Sequence, residues 1–320
     1  MKYKGLAALG FWLAMNYNIT AEPVKKLSAV GDVMLGRWLT AVLKDKGHEW
    51  PFLKVKDTLS NSDIAFCNLE CPMSDRGKII RKEFNFRAST DSVRSLEYAG
   101  FDIVSLANNH CLDYNLYALY DTTKTLTENG IKYCGLRNDP VVIEKDGIKM
   151  AFIGYSTVNS EEFEKRKKVT KFSVKKMQED IANAKKENDL VVISFHWGNE
   201  CTKKPAEYQR KYAQMAIDSG ADLILGHHPH VLQPIEKYKD KYIIYSMGNF
   251  VFGCYNNIKK TAIFNFNYSK GKIELDEIIP VHMNGYGTKF QAIPYEGKEK
   301  QEVIDFLNGL EKKIAKNLDK

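Results

Sequence analysis

Several absences narrow the field before any motif is read. Proline is scarce, 9 residues in 320, and the 21 glycines do not gather with it into clusters, so the composition is not that of a disordered chain. No internal repeat and no low-complexity linker interrupts the sequence. After residue 26 no apolar run approaches the roughly 20 residues that a membrane helix needs. Neither sign of charge dominates: 47 Lys and Arg face 40 Asp and Glu, and the net charge of +7 is interspersed along the chain. That pattern describes a mildly basic, solvated face rather than a nucleic-acid groove, while attraction to an anionic polymer or a membrane surface stays open. The six cysteines lack zinc-knuckle spacing, since three residues separate Cys67 from Cys71. A chain of this length does not need disulfides to hold a core, so they read as small buried hydrophobes.

What is present begins at the N-terminus. Lys2 and Lys4 precede an apolar stretch, Gly5–Met15, and Ile19-Thr20-Ala21 offers a small-residue cleavage point. This is the pattern of a secretory signal over residues 1–21. An uncleaved membrane anchor is the next reading and a first core helix the third. The bulk of the chain is therefore expected to be extracytoplasmic, secreted or anchored at the cell membrane.

Beyond residue 26 short apolar runs alternate with helical patterns. "LSAV" (27–30), "DIAFCNL" (63–69), "DIVSLA" (102–107), "MAFIGYS" (150–156), "LVVISF" (190–195), "LILG" (223–226) and "YIIYSM" (242–247) read as buried strands. Asn115–Asn129 before Gly130, Ser173–Asn188 with its serine cap, and Pro205–Ser219 with proline in its first turn read as helices. Such alternation predicts an α/β fold with largely parallel strands. Residues 261–281 alternate with period two about "SKGK", a hairpin, and a charged helix over Lys298–Leu318 closes the chain. The expected division is one domain over 25–283, with a C-terminal loop and helix over 284–320 packed on it.

The polar residues fall at the ends of those strands. The first ends in Asp32, the second in Asn68 and Glu70, and the third in Asn108, Asn109 and His110. Later ones end in His196, in the "HHPH" of His227, His228 and His230, and in Asn249. Strand carboxyl ends line the ligand crevice of an open α/β sheet. Singly each residue has a plain structural role, as a turn former, a cap or a hydrogen-bonded core histidine. Together, six strand ends would supply Asp, Glu, Asn and His without cysteine, a donor set suited to a catalytic metal site. A carboxylate bridging two ions is the arrangement that clamps a phosphoryl displacement.

The motifs "GDVMLGR" (31–37), "NLECPMS" (68–74), "SLANNHCLDY" (105–114), "SFHWGNE" (194–200), "GHHPHVLQPIE" (226–236) and "YSMGNFVF" (245–252) resemble the bacterial capsule synthesis CapA family. That family is associated with poly-γ-glutamate capsule biosynthesis and belongs to the calcineurin-like metallophosphoesterase superfamily. The resemblance implies a sandwich of two mixed β-sheets flanked by helices, with the hairpin inside the second sheet. It implies one or two divalent metal ions, Mn, Zn or Fe, held by Asp32, Glu70 as the bridging acid, Asn109, His196, His228 and His230. His227 is the alternative in the last motif, and His110 is the implied leaving-group acid. Two departures stand out: Met34 replaces the histidine that usually follows the first aspartate, and Glu70 replaces an aspartate. Asn68, His227 and Asn249 are further candidates to compensate. The implied substrate is an anionic polymer or a phosphoester, and the implied partners are other capsule synthesis membrane proteins. Three functions compete: a capsule-assembly hydrolase or transferase, a noncatalytic polymer-binding subunit of the synthesis and export complex, and a general phosphoesterase.

Overall fold

The computed structural model describes residues 24–318 apart from 81, 138, 159–171, 253–259 and 284–288, so the N-terminal signal or anchor pattern lies outside the described residues. Two mixed sheets face each other. In the first, β1 (Lys25–Met34) sits centrally between β2 (Ile64–Leu69) and β12 (Lys260–Ser269). Its order is β14 (Ala292–Pro294), β13 (Lys272–Met283), β12, β1, β2, β3 (Ile103–Ser105) and β4 (Lys132–Cys134), with β11 (Asn249–Phe252) also pairing β1. The second runs β5 (Val141–Lys145), β6 (Ile148–Ser156), β7 (Leu190–His196), β8 (Leu223–His227), β10 (Lys241–Ile244) and β9 (Ile235–Tyr238). The pairs β1–β2–β3–β4 and β6–β7–β8–β10 are parallel.

Both faces of these strands are buried, which is why their sequences read as continuous apolar runs. Alternate residues divide between layers. Leu27, Ala29, Phe66, Phe152, Val192 and Leu225 fill the space between the sheets, where Phe66 and Phe152 stack with centroids 6.0 Å apart. Val30, Cys67 and Leu69 turn outward to the helices of the first sheet, and Ile153, Val191 and Ile224 to those of the second. Extending the inward parity to the strand ends gives Asn68 on β2 with Glu70 just beyond it, His196 on β7 and His227 on β8. The inter-sheet layer thus turns from hydrocarbon to polar at one end. On β1 a register shift between Ala29 and Asp32 brings Asp32 into that layer. Gly31 allows it, because a Cβ there would meet Gly248 O at 1.8 Å.

Helices α1 (Trp38–Lys46), α2 (Lys56–Ser60), α3 (Val93–Ala99) and α4 (Asn115–Glu128) are associated with the first sheet, and α5 (Val174–Glu187) and α6 (Glu207–Asp218) cover the second. The Ser173 hydroxyl caps α5 by accepting from Lys176 N at 3.2 Å. The last helix, α7 (Gly297–Leu318), places Val303 and Leu307 in the inter-sheet core. Among the described residues no helix is long and apolar enough to cross a membrane.

Several expectations change. The hairpin of β12 and β13 joins the sheet of β1, antiparallel to it, rather than the second sheet. Asn249 opens a strand instead of closing one. Pro205 precedes the Ala206 cap of α6 rather than occupying its first turn. The strand within "YIIYSM" ends at Ile244. Cys67, Cys71, Cys111 and Cys134 are buried and free, but Cys201 is exposed.

Candidate metal centre

Asp32 is the hub on which the strand ends meet. Its Oδ1 accepts from Asn68 Nδ2 at 2.8 Å and lies 3.2 Å from His227 Nδ1. Its Oδ2 lies 3.3 Å from His230 Nδ1 and accepts from His228 N at 3.4 Å. Asn68 is held in turn by Asn108, whose Nδ2 donates to Asn68 Oδ1 at 3.0 Å and to Leu69 O at 2.8 Å. Asn249, the register partner of Asp32 on β11, brings its Oδ1 to 2.7 Å from His230 Nδ1. Asn109 Oδ1 lies 2.8 Å from His196 Nε2.

Glu70 behaves differently. Its Oε2 accepts from Asn68 Nδ2 at 3.3 Å, but Oε1 is buried without a hydrogen-bond partner. Three imidazoles surround that oxygen at non-bonded distances: His110 Nε2 and His230 Nε2 at 3.8 Å, and His196 Nε2 at 3.9 Å. A bare buried carboxylate oxygen facing imidazole nitrogens beyond hydrogen-bond range is the geometry of ligands around a cation position. Two sets of side chains bring their ligand atoms within 4.8 Å of one another, Asp32 with Glu70 and His196, and Glu70 with His228 and His230. Glu70 is common to both. His228 Nδ1 and His227 Nε2 also lack hydrogen-bond partners. The N/O donor set therefore fits a divalent transition metal.

The electrostatics agree with the geometry. Burial alone would push the Asp32 carboxyl up, yet His227 and His230 hold it well below the usual range. Burial drives Glu70 well above it, reinforced by Asp32 and Glu200. Burial pushes His196 well down and His228 to about 3, in each case helped by a neighbouring histidine. His196 and His228 are thus neutral imidazoles, the form that ligates, whereas His230 is raised by Asp32 and Asn249 against the effect of its burial. The loop is strained to this end: His228 and His230 adopt φ of 93° and 59°, a region non-glycine residues seldom occupy.

The ten residues that the resemblance singled out as ligands, acid or compensating groups lie around Asp32 and Glu70. His110 and His227 belong to neither of the two sets. Met34 is buried and its Sδ accepts from Gly36 N at 3.2 Å, so this position supplies no imidazole. Sequence reasoning missed Asn108 as the support of Asn68, and it missed Asp113, Lys82 and Phe86. His110 Nδ1 lies 2.7 Å from Asp113 Oδ2, and the Phe86 ring packs on the imidazole at 4.0 Å. Asp113 carried a signal, its three-residue spacing from His110. Lys82 and Phe86 carried none, because a separate loop brings them in.

With the site described, comparison with known proteins is decisive. Residues 26–254 match the family described as bacterial capsule synthesis protein PGA_cap. The chain belongs to that family. It is 31% identical over 277 residues to the PGA biosynthesis protein CapA of Bacillus subtilis, covering 82% of this chain and 73% of that protein. Among solved structures, the NAD nucleotidase NadN of Haemophilus influenzae is 13% identical with a TM-score of 0.51, over 89% of this chain and 62% of that one. The calcineurin-like phosphoesterase YfkN of Bacillus subtilis is 16% identical with a TM-score of 0.44, over 89% of this chain and 97% of that one. The fold, two mixed sheets flanked by helices, is the one shared with the NAD nucleotidase NadN.

Proposed function

We propose that this member of the family is a metal-dependent hydrolase of capsule polymer assembly, release or anchoring. It works outside the cytoplasm with residues 1–21 as signal or anchor, residues 25–283 as the catalytic domain and 284–320 as its C-terminal loop and helix. One observation carries the reading: the unpartnered Glu70 Oε1, shared by two ligand-capable sets and ringed by three imidazoles. Asp32, Glu70 and His196 would hold one divalent ion, and Glu70, His228 and His230 a second. Asn109 would add its side-chain oxygen as a further ligand, and Asn68, His227 and Asn249 would orient the set through the contacts they already make. Such ions, Mn, Zn or Fe, supply Lewis-acid polarisation of a substrate oxygen.

His110 is the proton-handling residue. Its Nε2 faces Glu70 and its Nδ1 faces Asp113, so a proton exchanged with the substrate passes at Nε2. Burial lowers its basicity to a pKa of about 4, against the pull of Asp113, so near neutral pH the ring starts as a proton acceptor. To act as the leaving-group acid it must first take a proton at Nε2. Its substrate is an anionic polymer or a phosphoester, presented by other capsule synthesis membrane proteins. The experiment is metal analysis of the full chain beside a hydrolysis screen of phosphoesters and γ-glutamyl polymer. Metal-dependent turnover supports the reading, and a protein that binds metal yet turns over nothing defeats it.

Met34 favours a second reading. A thioether where a ligand is expected leaves one donor fewer, which suits a noncatalytic polymer-binding subunit of the synthesis and export complex. Binding of γ-glutamyl polymer without hydrolysis, unaffected by chelation, is the outcome that selects it.

A further inference from the structure

We infer that Lys82 is a positioning residue that fixes the imidazole of His110, with residues 74–80 and 82–87 forming a clasp across the Asn109–Asp113 loop. The inference rests on the reading of His110 as the proton-handling group.

The clasp leaves and returns at one point. Met73 and Ala88 pair in a lone parallel bridge, Ser74 N donates to Ala88 O at 2.9 Å, and Ala88 N donates to Pro72 O at 2.9 Å. The segment between them leans on Asp113. Phe86 N donates to Asp113 Oδ2 at 2.6 Å, Ile80 N donates to Asp113 O at 2.8 Å, and Lys82 Nζ pairs with Asp113 Oδ1 at 2.5 Å. Lys82 Nζ also donates to Asn109 O at 2.7 Å and lies 3.1 Å from His110 Nδ1. A single ammonium therefore touches the main chain of Asn109, the ring of His110 and the carboxylate that orients that ring.

Chemistry then fixes the tautomer. Asp113 Oδ2 only accepts and Lys82 Nζ only donates, so His110 Nδ1 can hydrogen-bond one of the two. The shorter contact, 2.7 Å to Asp113 against 3.1 Å to Lys82, places the proton on Nδ1. Nε2 then carries the lone pair, 3.8 Å from Glu70 Oε1. Lys82 makes this arrangement durable. The Asp113 side chain is 1% exposed, and a carboxylate buried without a counter-charge is costly. Without Lys82 it relaxes by turning toward water or taking a proton, and either change releases Nδ1. Phe86 closes the remaining face of the ring.

The test is the imidazole itself, read in long-range proton–nitrogen spectra of the full chain labelled in histidine nitrogen. The His110 signal is identified by its loss in His110→Asn. Wild type is expected to show the Nδ1-protonated pattern. Lys82→Met should give a mixed or broadened His110 pattern with circular dichroism unchanged, and Lys82→Arg should restore the wild-type one. An unaltered Nδ1-protonated signal in Lys82→Met overturns the inference. So does unfolding of both Lys82→Met and the milder Lys82→Gln, since that makes Lys82 a residue of the fold rather than of the ring. Failure of the hydrolase reading shows separately, as absence of turnover by the wild type whatever the His110 pattern.

Discussion

Glu70 Oε1 and His230 Nε2 stand 3.8 Å apart, beyond hydrogen-bond range, and the oxygen has no hydrogen-bond partner although it is fully buried. Two ligands each about 2.0–2.2 Å from one ion lie at most roughly 4.4 Å from each other. The 3.8 Å separation is within what one ion could span. His230→Ala is expected to weaken metal binding by at least about 10–100-fold, the range found for residues that merely support a ligand. Calorimetric titration with Mn or Zn checks it, and wild-type affinity in the variant removes His230 from the site.

His110→Asn addresses chemistry rather than binding. General acid–base catalysis contributes roughly 10²–10⁴-fold, so turnover of a substrate with a poor leaving group should fall by that factor. Metal content should hold, because His110 belongs to neither ligand set. A fall in Tm with activity per folded molecule preserved would instead make His110 a buttress of its loop.

Phe152 tests the sandwich apart from the site. It stacks on Phe66 between the two sheets and is 1% exposed. Phe152→Ala should cost about 3–5 kcal/mol in denaturant unfolding. Metal content of the folded fraction should not change. A loss below about 1 kcal/mol would mean that the two sheets are not held together there.

Asp139 gives the stability a pH dependence. Burial pushes its carboxyl up to about 7, while the amides of Gly135 and Gly154 pull it back. Folded protein then keeps a proton that the unfolded chain has lost, so more protons are bound in the native state. Stability from this group is full below about pH 4 and declines as pH rises toward about 7, by up to about 1.4 kcal/mol per unit. Asp139→Asn should flatten that slope in unfolding measured across this window. A slope that persists in the variant assigns it to another group.

Much of this architecture was legible because both faces of the strands are buried. Continuous apolar runs marked β1, β2, β3, β6, β7 and β8, and the polar residues at the ends of all of these but β6 marked the site. The short strands β4, β5, β9 and β14 and the helices α1–α3 lacked that contrast. Asn249 was legible as a site residue but not as the start of β11, since a parallel pairing with β1 leaves no local periodicity. The hairpin was plain from its turn, whereas its choice of sheet depends on contacts with β1 more than 200 positions away. Lys82 shows the same limit: its partners Asn109, His110 and Asp113 come from another loop, so nothing local announces it.

Metal stoichiometry of Glu70→Gln tests the central claim most directly. Glu70 is the residue common to both ligand sets, and the amide keeps its size while removing its charge. Elemental analysis of the purified full chain, wild type beside variant, should find one or two transition-metal ions per wild-type chain. The variant should have lost most of them at unchanged circular dichroism. Equal metal content in the two proteins, or none in the wild type after loading with Mn, Zn or Fe, would contradict the account.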